Sequence, residues 1–376
     1  MERQAQVFTT VERIFTGVGC IGEVGRTAAD FGRRCVVVTG RHAMRRTGIL
    51  DRVLALLRAS GVEAALFEGV EEEPTAGTVD GVRALIREVK AELVIGLGGG
   101  SAMDAAKAAA GLATETSPAS FFLSTQAEAR PGVPLLTIAT TSGTGAEVTP
   151  NAVISDPAAK VKASIRNGRF IAAAAFVDPE LALSCPPRVT ASSGMDAVTQ
   201  AVESYVSIHA GPVSDALAVE AFRLLWGSVE RAYRDGRDID ARAAAAYGSL
   251  MAGMSLSAAR LGAVHGIAHP LGIRYSVPHG LACAVMLPEV VRINLPYSAE
   301  KFARLASIAG GDLVDAVRAL NDRLGIYREF AAYHLAQSDF ALIAEESLPS
   351  GSLKSNPKKF DASDVMAVLS AISAPR

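Results

Sequence analysis

The chain has 376 residues, 37 Lys+Arg against 39 Asp+Glu, a net charge of -2, and 49% hydrophobic against 20% charged residues. This composition supplies a sizeable core, which argues against disorder, and the length corresponds to about two domains of roughly 100–200 residues each. Near-neutrality without a long basic run argues against a nucleic-acid binder, because neutralising a phosphate backbone takes clustered Lys or Arg.

Mean hydropathy is +0.26, which raises the question of a membrane protein. A spanning helix needs about 20 predominantly apolar residues. The apolar runs Cys35–Val38 and Leu93–Leu97 stop within a few residues at Gly, Thr or a charge, so they read as buried strands. The N-terminal stretch lacks the basic start and apolar centre of a secretory signal, and a cytoplasmic protein is expected. Cys20, Cys35, Cys185 and Cys283 form no C-x-x-C pair, which points to neither a disulfide framework nor a zinc ribbon. They read as small buried hydrophobes.

In chain order, the first half alternates β-branched runs with helical patterns. A strand is expected at Arg34–Thr39, a helix at Gly48–Ser60, a strand at Glu63–Phe67, a helix at Gly77–Lys90, a strand at Glu92–Gly96 and a further strand at Pro134–Ala139. Strands joined by helical crossovers imply a parallel sheet with helices on both faces. Residues 1–184 therefore read as an α/β, Rossmann-like domain. Cys185-Pro-Pro187 reads as a linker, because successive prolines do not enter a helix interior. Beyond it a 3.6-residue period predicts helices at Ser192–Ser207, Pro212–Arg234, Ile239–Arg260, Ala263–Leu271, Ala299–Ala309, Leu313–Leu324 and, after Asn356-Pro357, Asp361–Ser373. Residues 185–376 read as an all-α domain.

Four segments carry chemistry. Val94–Lys107 passes from a hydrophobic strand through Gly98, Gly99 and Gly100 to Ser101 and an Ala-rich helix. Backbone N–H groups at a helix start, approached closely because glycine has no side chain, make a pyrophosphate site. Its spacing is not that of the G-x-G-x-x-G fingerprint. Ile138–Thr149 again follows a strand with small hydroxyl residues suited to ribose and phosphate oxygens. Val264–Gly280 holds three of the six histidines of the chain. His265 and His269, four apart, share a helical face, and His279 returns after a turn. Such a cluster together with an acidic helix suits a divalent metal. That helix is Gly194–Tyr205, where Asp196 and Gln200 stand one turn apart and Glu203 reads as a solvated or paired residue.

These four stretches, GGGSAMDAAK, TSGTGAEVTPNAVISD, GMDAVTQAVESYVS and AVHGIAHPLGIRYSVPHGLACAVMLP, together with the late Asn356-Pro357-Lys358, resemble the iron-containing (group III) alcohol dehydrogenase family, in particular its lactaldehyde reductase-like and butanol dehydrogenase-like members. The resemblance runs from about Phe15 to Ser370. It implies a dehydroquinate synthase-like architecture, with a nucleotide-binding α/β domain, a helical domain, and metal and nicotinamide meeting in the cleft between them. It also implies that Gly98, Gly99, Gly100, Ser101 and Asp104 hold the pyrophosphate side, and that Thr140, Thr141, Thr144, Thr149 and Lys162 contact the rest of the cofactor. The metal positions become Asp196, Gln200, His265 and His279, with His269 beside the substrate. A homodimer or higher homo-oligomer is common in the family.

Two positions depart from the family pattern. Histidine is usual where Gln200 stands, and a neutral amide oxygen is a weaker donor to Fe(II) or Zn(II) than imidazole. Gln200 is therefore expected as a weak fourth ligand or as a hydrogen bonder to one. Many NAD-preferring relatives carry Asp after the second-position strand, where this chain has Thr39, Gly40 and Arg41. Loss of the acid removes repulsion of a 2′-phosphate, and Arg41, Arg45 or Arg46 can pair with one. NADP(H) is thus expected alongside NAD(H), with Fe(II), Zn(II) or another divalent ion.

The expected reaction is reversible hydride transfer between nicotinamide and a primary alcohol or aldehyde. A metal acts as Lewis acid, and His269 and His265 are the catalytic candidates, an imidazole being able to move a proton near neutral pH. The alternatives are a metal-independent reductase of the maleylacetate reductase type, a dehydroquinate synthase-type lyase, and a non-catalytic nucleotide-binding relative.

Overall fold

The computed structural model describes residues 7–159 and 161–374. Its chain divides into two compact units. One comprises Thr10–Thr141 with Gly145–Cys185; the other runs on from Pro186 and includes Ser142–Thr144.

Among the described residues the first unit contains eight strands: β1 (Arg13–Thr16), β2 (Arg34–Gly40), β3 (Glu63–Val70), β4 (Leu93–Gly98), β5 (Leu135–Ala139), β6 (Asn151–Asp156), β7 (Val161–Arg166) and β8 (Ala174–Val177). Six of them form one sheet in the order β1-β8-β5-β4-β2-β3, with every pair parallel. Successive side chains on a strand face opposite sides. Cys35 and Val37 of β2, Leu93, Ile95 and Leu97 of β4, Leu136 and Ile138 of β5, and Phe176 of β8 share one core with Val24 and Ala28 of helix Val24–Ala29 and Val53 and Leu57 of helix Ile49–Ala59. Gly96 faces the other side, where a Cβ would come 2.9 Å from that of Ala106. Helix Gly100–Gly111 therefore lies flat against β4 at that point, alongside helix Ala76–Glu88. β6 and β7 form a separate antiparallel hairpin.

The second unit is built on helices Pro187–Val206, Pro212–Arg234, Ile239–Ala259, Ala263–Tyr275 and His279–Asn294, followed by shorter ones that end in Ala362–Ser373. Met195, Val198, Phe222, Leu225, Val264, Ile267, Leu281 and Val285 lie in its core. The expected linker Cys185–Pro187 is instead a helix entry. Pro186 is the extended N-cap, at φ -61 and ψ 149, and Pro187 opens the helix. A missing N–H costs nothing in the first turn, and the fixed φ of proline already suits it. Helix Ala263–Tyr275 also runs past Leu271, through an internal Pro270. The segment from His279, for which no helix was expected, is a 16-residue helix entered from Pro278.

Of the cysteines, Cys35 and Cys283 are buried as expected, whereas Cys20 and Cys185 are only partly so. Burial is the main influence that pushes the Cys20 and Cys35 thiols up to about 12. Among the described residues no helix is long and apolar enough to cross a membrane.

Glu147, fully buried in the first unit, has its carboxyl pushed up to about 7; burial dominates, and its own backbone amide and the Lys107 ammonium offset only part. A carboxyl with a raised folded-state pKa contributes stability that is complete below its unfolded value of about 4.3 and is lost as pH rises through the folded value. Glu147→Gln cannot ionise. Its melting temperature relative to the parent should therefore climb between pH 5 and pH 8; a pH-independent difference would show that the buried carboxylate ionises without cost.

Candidate active site

The parallel sheet creates the first half of the site. From β2 the chain moves outward to β3, then returns across β2 to β4. This reversal leaves a crevice beyond the carboxyl ends of β2 and β4, the place where open α/β sheets bind ligands. Gly98 ends β4 at φ 147, and a Cβ there would lie 3.0 Å from Ala102; one on Gly99 would lie 3.3 Å from the Thr141 hydroxyl. Gly99 is the N-cap of helix Gly100–Gly111 and offers no side-chain cap. The helix's first N–H groups thus face a cradle that a side chain would fill, which fits a pyrophosphate. The Thr140 amide donates to the Gly98 carbonyl at 3.0 Å and holds the loop after β5 beside the turn.

Other expected contacts are internally engaged. The Ser101 hydroxyl donates to the Glu72 carbonyl, so what Ser101 offers a phosphate is its backbone amide. Asp104 ion-pairs with Lys107 at 2.8 Å and accepts the Val153 amide at 2.9 Å. Lys107, fully buried, also donates to Thr149 at 3.1 Å and to the Asn151 carbonyl. Asp104, Lys107 and Thr149 thereby brace helix Gly100–Gly111 against the β6 region. Lys162 is paired with Glu73. Thr39 is wholly buried, Gly40 closes β2, and Arg41 is exposed. Arg45 is held by both oxygens of Glu68, at 2.8 and 2.6 Å. Thr144 groups with the helical unit.

The helical unit brings together Asp196, His265, His279 and Cys283, one donor atom of each lying within 4.8 Å of all the others. Helix Pro187–Val206 presents Asp196, Gln200 and Glu203 on one face, helix Ala263–Tyr275 presents His265, and helix His279–Asn294 presents His279 and Cys283 one turn apart. Gly280 permits the approach: a Cβ there would lie 2.2 Å from the Ser192 carbonyl oxygen. His265 Nε2 stands 3.3 Å from Asp196 Oδ1, and His279 Nε2 stands 3.7 Å from the same oxygen. Gln200 Nε2 donates to Asp196 Oδ2 at 3.1 Å. The His269 ring centre is 5.5 Å from that of His279.

Glu203 is buried and does specific work. It accepts from His265 Nδ1 at 2.5 Å and from the Val264 amide at 2.6 Å, while Asn356 accepts the Ala263 amide at 3.2 Å. The start of helix Ala263–Tyr275 is thus satisfied by two side chains, one of them anionic where the helix dipole favours it. With Nδ1 as donor, His265 turns Nε2 toward Asp196. Asp196 Oδ1, His265 Nε2 and Gln200 Oε1 are then buried with no hydrogen-bond partner. Opposed lone pairs in a dry site repel unless a positive charge lies between them. The donor set therefore fits a divalent cation.

The electrostatics agree. Burial alone would raise the Asp196 carboxyl, but the His265 nitrogen 3.3 Å away and the charge that His279 and His265 carry when protonated hold it below its usual range. Burial disfavours a charged His265, yet the acidic groups around it, Cys283, Glu203 and Asp196, raise its pKa well above the ordinary value. A proton and a metal compete for the same point. Glu203 and Cys283 were not recognised as functional from sequence; the only signal was their spacing, i+7 from Asp196 and i+4 from His279.

A glycine turn at the switch point of a parallel sheet and a cation site of Asp and His donors define a dinucleotide-dependent, metal-using oxidoreductase. Residues 11–179 match the family model described as "Iron-containing alcohol dehydrogenase" and residues 190–373 match "Fe-containing alcohol dehydrogenase family, C-terminal"; the chain belongs to this family. It is 35% identical over 358 residues to the 1,3-propanediol dehydrogenase of Klebsiella pneumoniae, covering 90% of this chain and 92% of the relative. It is 32% identical to the NADPH-dependent butanol dehydrogenase of Clostridium saccharobutylicum, covering 97% of each. A solved 1,3-propanediol oxidoreductase superposes with a TM-score of 0.93 at 33% identity, covering 98% of this chain and 100% of the other. The chain is accordingly an NAD(P)-dependent alcohol dehydrogenase of a family that uses a divalent metal, typically iron.

Two substitutions test this geometry. Gly98→Ala places a Cβ at a left-handed φ, which costs about 1–3 kcal/mol; the melting temperature should fall and dinucleotide affinity weaken, and an unchanged dissociation constant would remove the turn from the binding site. Glu203→Gln weakens the acceptor that orients His265, so metal affinity in chelator competition should drop about 10–100-fold. Equal affinity would mean that Glu203 only caps the helix.

Proposed function

We propose that this enzyme interconverts primary alcohols and aldehydes, with residues 1–184 carrying the dinucleotide and residues 185–376 carrying metal and substrate. Asp196, His265 and His279 hold the cation, and Gln200 orients Asp196. The backbone of Gly98, Gly99, Gly100 and Ser101 receives the pyrophosphate. Thr140, Thr141 and Thr144 line the rest of the dinucleotide site, while Asp104, Thr149 and Lys162 support it. The observation that carries the reading is the pair of buried, facing and unpartnered atoms Asp196 Oδ1 and His265 Nε2, 3.3 Å apart.

Held by Asp196, His265 and His279, a metal would polarise the alcohol or carbonyl oxygen, and a bound nicotinamide would supply or take up the hydride. The chain's own residues do the rest. Asp196 and His265 keep the cation desolvated, and Glu203 keeps Nε2 of His265 aimed at it. His269, partly exposed and beside His279, accepts the hydroxyl proton during oxidation and returns one during reduction.

Cofactor choice rests on the end of β2. No acid follows Thr39 and Gly40, Arg45 neutralises Glu68, and Arg41 and Arg46 are exposed. This favours NADP(H) with NAD(H) accepted. β1 forms one edge of the sheet, and an edge strand is a template for pairing with a second copy, which supports a homodimer. Four cysteines without a disulfide among the described residues accord with a cytoplasmic enzyme.

The test is oxidation of NADH and NADPH by short and medium aldehydes, before and after rigorous chelation and re-addition of Fe(II) or Zn(II). Chelation should abolish turnover, re-addition should restore it, and Asp196→Ala should lower kcat/KM at least a hundredfold. Full turnover after chelation would install the metal-independent reductase in its place.

A further inference from the structure

Cys283 is wholly buried, yet its sulfur does not point into hydrocarbon. It stands 3.7 Å from His279 Nε2, one helical turn along the same face, and interacts electrostatically with both Asp196 and His265. The atoms it joins include two buried, unpartnered ones of this site, Asp196 Oδ1 and His265 Nε2. A lone buried cysteine carries no function by itself; one that completes a group of converging lone pairs does.

We propose that Cys283 is a thiolate ligand of the bound cation, completing an Asp196, His265, His279, Cys283 set, while Gln200 acts on Asp196 from outside that set. The proposal rests on the metal reading given above. Tetrahedral zinc, with bonds of about 2.0–2.2 Å to nitrogen and oxygen and about 2.3 Å to sulfur, has donor–donor edges of about 3.3–3.6 Å. The observed separations of 3.3 Å from His265 to Asp196, 3.7 Å from His279 to Asp196 and 3.7 Å from His279 to Cys283 lie at or just beyond such edges, and all four donor atoms lie within 4.8 Å of one another. Gln200 directs its amide N–H at Asp196 Oδ2 and so fixes the carboxylate. It occupies the position of the usual third imidazole, and the thiolate supplies the missing fourth donor from a different helix; a substrate oxygen would then join the ion as a fifth donor.

Binding forms one sulfur–metal bond, and the thiol proton leaves to solvent; neither sulfur nor metal changes oxidation state. Carboxylate and thiolate together balance the charge of a divalent ion. A soft sulfur donor also selects Zn(II), Co(II) or Fe(II) over Mn(II) and Mg(II).

The experiment loads the full chain with Co(II) and with Zn(II). Wild type should show a near-ultraviolet thiolate-to-cobalt charge-transfer band. Cys283→Ser should lose that band while keeping the visible cobalt bands, and should bind Zn(II) about tenfold or more weakly. Gln200→Ala should retain the band. X-ray absorption of Zn(II)-loaded wild type, which needs no variant to fold, should contain one sulfur scatterer at about 2.3 Å. Stoichiometric cobalt or zinc without a sulfur signature would overturn the thiolate and leave the metal reading standing. Failure of wild type to bind either ion would overturn both.

Discussion

The site depends on one electrostatic constraint: a carboxylate oxygen and an imidazole nitrogen face each other in a dry interior with nothing else to bond. That arrangement persists only if a positive charge occupies the space between, because the protein contributes two lone pairs and the low dielectric does not screen them. Three helices are arranged to maintain it. Asp196 comes from the middle of Pro187–Val206, His265 from the first turn of Ala263–Tyr275, and His279 from the first residue of His279–Asn294. The histidine helices begin within the site, so their unsatisfied N–H groups lie next to the donors. Glu203 and Asn356 satisfy those of one helix. The same Glu203 carboxylate also selects the His265 tautomer, so folding the helix start and preparing the ligand are a single event.

Both halves of the enzyme use glycine to bring backbone close to chemistry, for different reasons. Gly98 is needed for its conformation, at φ 147. Gly280 has no unusual dihedral; it is needed because its Cα hydrogens lie against the Ser192 carbonyl, where a methyl group would stand 2.2 Å from the oxygen. The first opens a cradle for a ligand, and the second draws two ligand-bearing helices together. Gly262 belongs with the second kind, since a side chain there would crowd both Glu203 and Asn356.

Much of this was legible in sequence, and the omissions share physical causes. β2, β4 and β5 were recognisable because strands buried on both faces are continuous β-branched or aliphatic runs. β1 and β8 have only four residues each, too few for a period to register, and β6–β7 alternates too weakly. The double proline at residues 186 and 187 looked like a break because proline disrupts helix interiors, whereas the first turn accepts it. The histidine cluster and Asp196 were readable from spacing. Cys283 was not, because a buried cysteine in an apolar helix has the same sequence signature whether it packs or ligates. Once Pro278 is taken as a helix start, the i, i+4 relation of His279 and Cys283 becomes visible, and one unrecognised helix accounts for the omission.

Side-chain pairing also explains how a chain of net charge -2 can hold a polyanionic cofactor. Several cations of the first unit are committed to its own acids: Lys107 to Asp104, Lys162 to Glu73 and Arg45 to Glu68. Lys107 in particular is buried with three oxygen neighbours and acts as a structural cross-link between helix and hairpin. In the reading proposed above, phosphate recognition falls to the backbone amides at Gly99–Ser101 and the dipole of the helix they begin. Backbone donors carry no net charge, need no counter-ion and lose little conformational entropy on binding. A near-neutral chain and a phosphate site are therefore compatible, and on the proposed reading the arginines beyond β2 would bear on the 2′-position instead of on affinity for the dinucleotide as a whole.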